Sequence, residues 1–334
     1  MKRIIWIFLI VLLAVSCSGK NETASGGGSS ATVKEGTPAP ASDFDARLTQ
    51  SGDGVEITYY SGNAKNLTIP TTIEDLPVVT VNLSSRNSFV EQVFIPEGVK
   101  QVGFGDNLPS LQAVSLPSTL ERINGRAFDG CINLKAVSIP SNVTYIGDNA
   151  FRGSGIQSII VPASVKNMGG AFRDCKSLTS VEIAGNDLRI EQFFTGCDSL
   201  KNVIINEGVT SIGEGAFRGL KSLETVKFPD SLQFIYGNAF YGCSSLGAIV
   251  IPKGVERIRE NAFAFSGLTE VTITKTKEPL IIMGGAFRGC ENLVTVNFEE
   301  GASIVFEQID QFSDCPKLSL KSQTAIREAS IRIN

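Results

Sequence analysis

Leu134-Lys135-Ala136-Val137-Ser138-Ile139-Pro140-Ser141-Asn142-Val143-Thr144-Tyr145-Ile146-Gly147-Asp148-Asn149-Ala150-Phe151-Arg152-Gly153 contains the pattern that decides the fold. Its skeleton is Leu-x-x-Val-x-Ile-Pro, a spaced Val and Ile-Gly, then Ala-Phe-x-Gly, and it returns about every 23 residues. A fixed period in this range specifies a solenoid, because one coil cannot bury its apolar positions alone and must stack on the next. At 334 residues the length alone suggests two or three globular domains, but a repeat array makes one elongated domain instead.

Within each coil, Leu-x-x-Val-x-Ile predicts a short strand whose side chains alternate between faces. Val137 and Ile139 point inward, and Leu134 in the incoming turn fills the same core. The recurring proline removes a ladder donor and stops the strand at Pro96, Pro117, Pro140, Pro162, Pro229 and Pro252. Two outward rows follow. The first reads Gln92, Ala113, Ala136, Ser158, Ser180, Asn202, Thr225, Ala248, Glu270, Thr295, and is small and mostly uncharged. The second reads Phe94, Ser115, Ser138, Ile160, Glu182, Ile204, Lys227, Val250, Thr272, Asn297, and mixes exposed apolar with polar residues. Such a mixture on a broad surface marks a recognition face, so Phe94, Ile160, Glu182, Ile204, Lys227, Val250, Thr272 and Asn297 are the candidate binding residues. The competing reading is that β-branched residues stand there as good strand formers.

Across the coil, Phe128, Phe151, Phe172, Phe194, Phe217, Phe240, Phe263, Phe287 and Phe312 recur every 21 to 25 residues. Stacked in register they make an interior column, each ring contributing about 1.5–3 kcal/mol by burial. Asp148 is placed to cap a single helical or 3₁₀ turn carrying Ala150-Phe151. Phe44 to Tyr60 reads as a strand-rich cap over one end. Ser322 to Arg332, with Ala325, Ile326, Ala329 and Ile331 on one side, reads as a short helix over the other.

Lys2 and Arg3 precede an apolar run from Ile4 to Val15, which suits a secretory signal. The run ends Leu13-Ala14-Val15-Ser16-Cys17, which resembles the lipobox of bacterial lipoproteins. That resemblance implies cleavage before Cys17 and its lipidation, and Ser18 in place of Asp favours outer-membrane sorting. Residues 17–42 are rich in Gly, Ser, Ala, Thr and Pro and are expected to tether the folded part, with a reach of roughly 25 to 30 Å. The expected organisation is therefore a signal at 1–16, lipidated cysteine and linker at 17–42, cap and first coil at 43–85, repeat array at 86–320 and capping segment at 321–334.

The joint presence of Leu-x-x-Val-x-Ile-Pro and Ile-Gly-x-x-Ala-Phe-x-Gly-Cys, with the opening Gly54-Val55-Glu56-Ile57-Thr58-Tyr59-Tyr60 and Leu67-Thr68-Ile69-Pro70, closely resembles the BspA-like class of bacterial leucine-rich repeats. The resemblance covers roughly Asp43 to Leu320. It implies a right-handed leucine-rich repeat solenoid with a parallel β-sheet on one face and short turns or single-turn helices on the other. It also implies a secreted or cell-surface protein, in a family associated with adhesion to host matrix proteins and epithelial cells. No family motif assigns an individual binding residue.

Other chemistry is poorly supplied. Histidine is absent, which removes the commonest general base and zinc ligand. With 30 basic and 34 acidic residues, net −4, the chain lacks the footprint of a nucleic-acid binder. Cys131, Cys175, Cys197, Cys243, Cys290 and Cys315 share one repeat position with Ser154, Leu220 and Ser266, so they read as packing thiols. Cys175 with Cys197, and Cys290 with Cys315, lie in adjacent coils and leave a bridge open. Gly213 to Gly219 has the glycine density of a phosphate loop but is a copy of the repeat turn. The acidic pairs Glu74-Asp75 and Glu299-Glu300 read as solvated turn charges. No catalytic residue, metal or cofactor is expected. The expected function is a non-enzymatic, lipid-anchored surface protein whose solenoid binds a protein or glycan. The alternative is a structural envelope protein that associates with itself beneath the surface.

Overall fold

The computed structural model describes residues 33–83, 87–104, 108–184, 188–308 and 310–331. The expected signal at 1–16, Cys17 and the first half of the linker lie outside the described residues. The chain is a β-solenoid of about 11 turns. The predicted strands form the front ladder, parallel and in register, as in Ile160↔Glu182, Glu182↔Ile204 and Val250↔Thr272. Val181, Ile183, Val203 and Ile205 are buried beneath it, as the alternation requires.

A second, back ladder has no counterpart in the sequence-based expectation, which placed only turns there. The spaced Val and Ile-Gly segments pair coil to coil, for example Tyr145–Ile146 with Arg122–Ile123 and with Asn167–Met168. Both ladders are interrupted. The front one forms three sheets, with no strand at Val137 and no pairing between Thr225–Lys227 and Ile249–Ile251. The back one breaks between Asn167–Met168 and Ser211–Ile212, apart from an isolated bridge at Ile190↔Ile212. The back interruption has a visible cause. Leu188-Arg189-Ile190 is one residue shorter than its neighbours, and Phe193 occupies the small alanine position of the following turn. Among the described residues, no junction between coils lacks both ladders at once.

The phenylalanine column forms as expected and gains one ring. Parallel stacking continues from Phe128–Phe151 at 5.0 Å to Phe287–Phe312 at 5.0 Å, and Phe104 extends it below Phe128. Spacing widens only at Phe172–Phe194 and Phe194–Phe217, 5.7 and 5.9 Å, where Phe193 intrudes.

The Ala-Phe turns are not helical. Consecutive i→i+3 bonds would make a 3₁₀ turn. Instead local bonds (Ala150 N–H to Gly147 O, Arg152 N–H to Asn149 O, Ser154 N–H to Phe151 O) alternate with bonds to the next coil (Phe151 N–H to Ala171 O, Gly153 N–H to Arg173 O). The expected Asp148 cap is not formed, because Asn149 takes a left-handed φ of 59° rather than starting a helix.

Both ends are closed. Phe44–Leu48 and Val55–Tyr60 form an antiparallel pair that starts the back ladder against Leu76–Leu83. Within the segment expected as linker, Gly36 N–H donates to Thr68 Oγ1 at 3.2 Å and Ala39 N–H to Thr68 O at 3.0 Å, so this stretch lies on the first coil. At the far end the helix Leu320–Ile331 covers the last coil. Ser322 Oγ accepts from Val296 N–H at 2.9 Å and donates to Val294 O, satisfying backbone groups that an uncovered strand would leave open.

Candidate functional site: the outward face of the front ladder

The alternation that buries Val181 and Val203 turns every second residue to solvent, and the outward row is where the sequence reading placed it. Ile160, Glu182, Ile204 and Lys227 lie side by side in one sheet. Val250, Thr272 and Asn297 lie side by side in another, and Phe94 sits in a third between Thr68 and Ser115. Ile160 is 52% exposed, Ile204 37% and Val250 55%. Phe94 is half-buried, next to the Thr68 that the 36–39 segment covers. In the first outward row Ala113 is buried, contrary to expectation: its single methyl is 3% exposed beside its register partner Gln92.

Polar side chains of this face are tied along the stack. Asn206 donates to Glu182 at 2.7 Å, Thr225 to Asn202 at 2.8 Å and Asn297 to Glu270 at 3.0 Å. These bonds hold the polar groups in fixed places between the apolar ones. Lys227 makes no ion pair among the described residues.

The six array cysteines are free thiols, which answers the open question of a bridge. They do more than fill space. The Cys175 and Cys197 thiols donate to the Phe151 and Phe172 carbonyls of the preceding coil at 3.0 Å, and Cys243, Cys290 and Cys315 repeat the bond at 3.1 to 3.3 Å. Burial pushes the Cys131 and Cys243 thiols up to about 12. Native protein at pH 8 should therefore leave Cys131 and Cys243 unalkylated by iodoacetamide until it is unfolded, with half-buried Cys315 reacting first. Rapid labelling of Cys131 or Cys243 in the folded chain, read by peptide mass spectrometry, would refute this.

Convergent chemistry is not found among the described residues. Among the described residues no three His, Cys, Asp or Glu side chains gather in a way that could hold a metal. No helix follows Gly213–Gly219 to present free amides, and Glu74 and Asp75 occupy a tight turn at φ 50° and 63°. The sequence reading missed a second polar cluster on the back ladder. Tyr236 has the guanidinium carbons of Arg189 and Arg259 4.6 and 4.7 Å from its ring centroid. Its signal was the replacement of a glycine-rich position, Gly147 and Gly213 in earlier coils, by Tyr236 and Arg259.

Comparison with known proteins agrees with this geometry. The sequence matches the description BspA type leucine rich repeat region, in six copies, over residues 99–193 and 190–319. A leucine-rich repeat protein from Bacteroides ovatus shares the fold with 22% identity and a TM-score of 0.55, covering 83% of this chain and 80% of that one. The T. pallidum leucine-rich repeat protein is 28% identical over 63% of this chain and 91% of its own, with a TM-score of 0.46. No curated protein matches by sequence.

Proposed function

The chain belongs to the BspA-type leucine-rich repeat family, and from that premise we propose that it is an exported, lipid-anchored, non-enzymatic surface protein whose front ladder binds a protein partner, in adhesion to host matrix or cells. The observation that carries this reading is the set of exposed apolar side chains, Ile160, Ile204 and Val250, standing among tethered polar groups on two successive sheets of the front ladder. Apolar side chains left at a solvated surface form the desolvated centre of an interface, and neighbouring polar groups form its rim. Anchorage through Cys17 would hold this face outside the envelope on the residues that precede Gly36.

The test is saturable binding of the mature chain to immobilised matrix proteins and to whole epithelial cells. The triple variant Ile160→Lys, Ile204→Lys, Val250→Lys is expected to fold normally and to lose at least about tenfold in affinity, since these positions are exposed and a buried hot spot is worth ~2 kcal/mol or more. Binding unchanged in the variant would reject this face, and no binding by the parent chain would reject the adhesive role.

A further inference from the structure

The fourth position of the Ala-Phe turn is left-handed in each of the nine coils from Phe128 to Phe312. Glycine holds it at Gly130, Gly153, Gly196, Gly219, Gly242 and Gly289, with φ from 64° to 80°, and aspartate holds it at Asp174 and Asp314, at 59° and 57°. Phe265 occupies the same position at φ 57°. A bulky side chain is a true outlier there, because its Cβ crowds the backbone carbonyl. The coil gains little burial in exchange, since Phe265 is 47% exposed. A strained conformation kept for an exposed aromatic ring points to use of that ring.

Its surroundings indicate the use. The Phe265 ring lies over Gly289, where an added Cβ would come within 2.6 Å of it. Tyr241 meets it at 5.3 Å and 62°, and the Arg218 guanidinium lies 5.0 Å from the Tyr241 ring centre. Arg152 and Arg288, at the repeat position of Arg218, are paired with Asp129 and Asp314. Arg218 makes no such pair among the described residues, so its charge is available. An aromatic face carries negative potential and attracts the weakly positive C–H groups of a sugar ring, while a free guanidinium takes a carboxylate in a two-point bond.

We propose that Arg218, Tyr241 and Phe265 form a binding site on the turn side of the solenoid for an acidic oligosaccharide, with a sugar ring on Phe265 and a carboxylate on Arg218. The site is separate from the front ladder and does not depend on it.

The experiment uses the mature chain and immobilised oligosaccharides ending in N-acetylneuraminic or glucuronic acid, with neutral galactose- and glucose-ended counterparts. Acid-ended probes should bind saturably and neutral ones should not. Phe265→Gly, which restores the repeat residue, should weaken binding by about tenfold with the thermal midpoint unchanged or raised. Arg218→Gln should abolish the preference for acid-ended probes, and the front-ladder triple variant should bind like the parent. The proposal is overturned if neither acid-ended probe binds, if neutral probes bind equally, or if binding appears only on anionic lipid vesicles. It is equally overturned if Phe265→Gly keeps full binding, or loses binding only together with a fall in thermal midpoint.

Discussion

Replacing Phe240 by alanine lowers the unfolding free energy by about 3–5 kcal/mol, the cost of removing a fully buried ring and leaving its cavity. Phe240 is 0% exposed and stacked on both sides, 5.2 Å from Phe217 and 5.0 Å from Phe263, with Phe228 edge-on at 5.7 Å. Neither of the two stacked rings can move into the gap without breaking its own place in the column. Because repeat arrays are stabilised by nearest-neighbour interfaces, the loss is concentrated at two junctions, and urea unfolding followed by circular dichroism should separate into two transitions. Phe312→Ala at the half-buried end of the column should cost less and keep one transition. A loss below about 1 kcal/mol at Phe240 would mean that the rings are not a principal source of cohesion.

The second large effect is expected at Gly147. A Cβ there would run into Gly125 of the preceding coil, 2.6 Å from its Cα and 2.8 Å from the carbonyl carbon of Asn124. Those atoms are backbone and cannot rotate away. Gly147→Val should therefore push two coils apart and destabilise the array by about 1–3 kcal/mol, even though it adds apolar surface. Thermal unfolding decides this, and a variant as stable as the parent would show that coil spacing at that junction is soft. Gly52, with nothing within 4 Å, gives a steric contrast, although its φ of 71° makes it a backbone test rather than a packing one.

Legibility in the sequence followed how locally each feature was encoded. The front strands, the proline turns and the phenylalanine column each repeat a residue type at fixed spacing, so their faces and partners could be assigned before any coordinates. The back ladder could not. Each coil contributes as few as two residues, Tyr145–Ile146 being typical, and two residues carry no alternation to detect. Phe104 was missed because it follows Gly103 rather than an Ala-Phe pair, and the attachment of Gly36 and Ala39 to Thr68 depends on backbone groups that leave no compositional trace. Five of the six thiols were correctly read as buried, Cys315 near the end of the array being half-buried, but their bonds to Phe carbonyls are a property of stacking and not of the coil alone. For the candidate binding face, exposure of Ile160, Ile204 and Val250 followed from parity along the strand. The left-handed Phe265 stood out only against the backbone angles of its eight counterparts.

The offset between the gaps in the two ladders gives the stack a particular kind of compliance. At Val137, and again between Val226 and Val250, the front lacks strand pairing while the rear seam stays fastened. Between Met168 and Ile190 the roles reverse. The rod is thus weakest on alternate sides along its length, like a spine with elbows set in opposite senses, and among the described residues it carries no plane at which both seams part together.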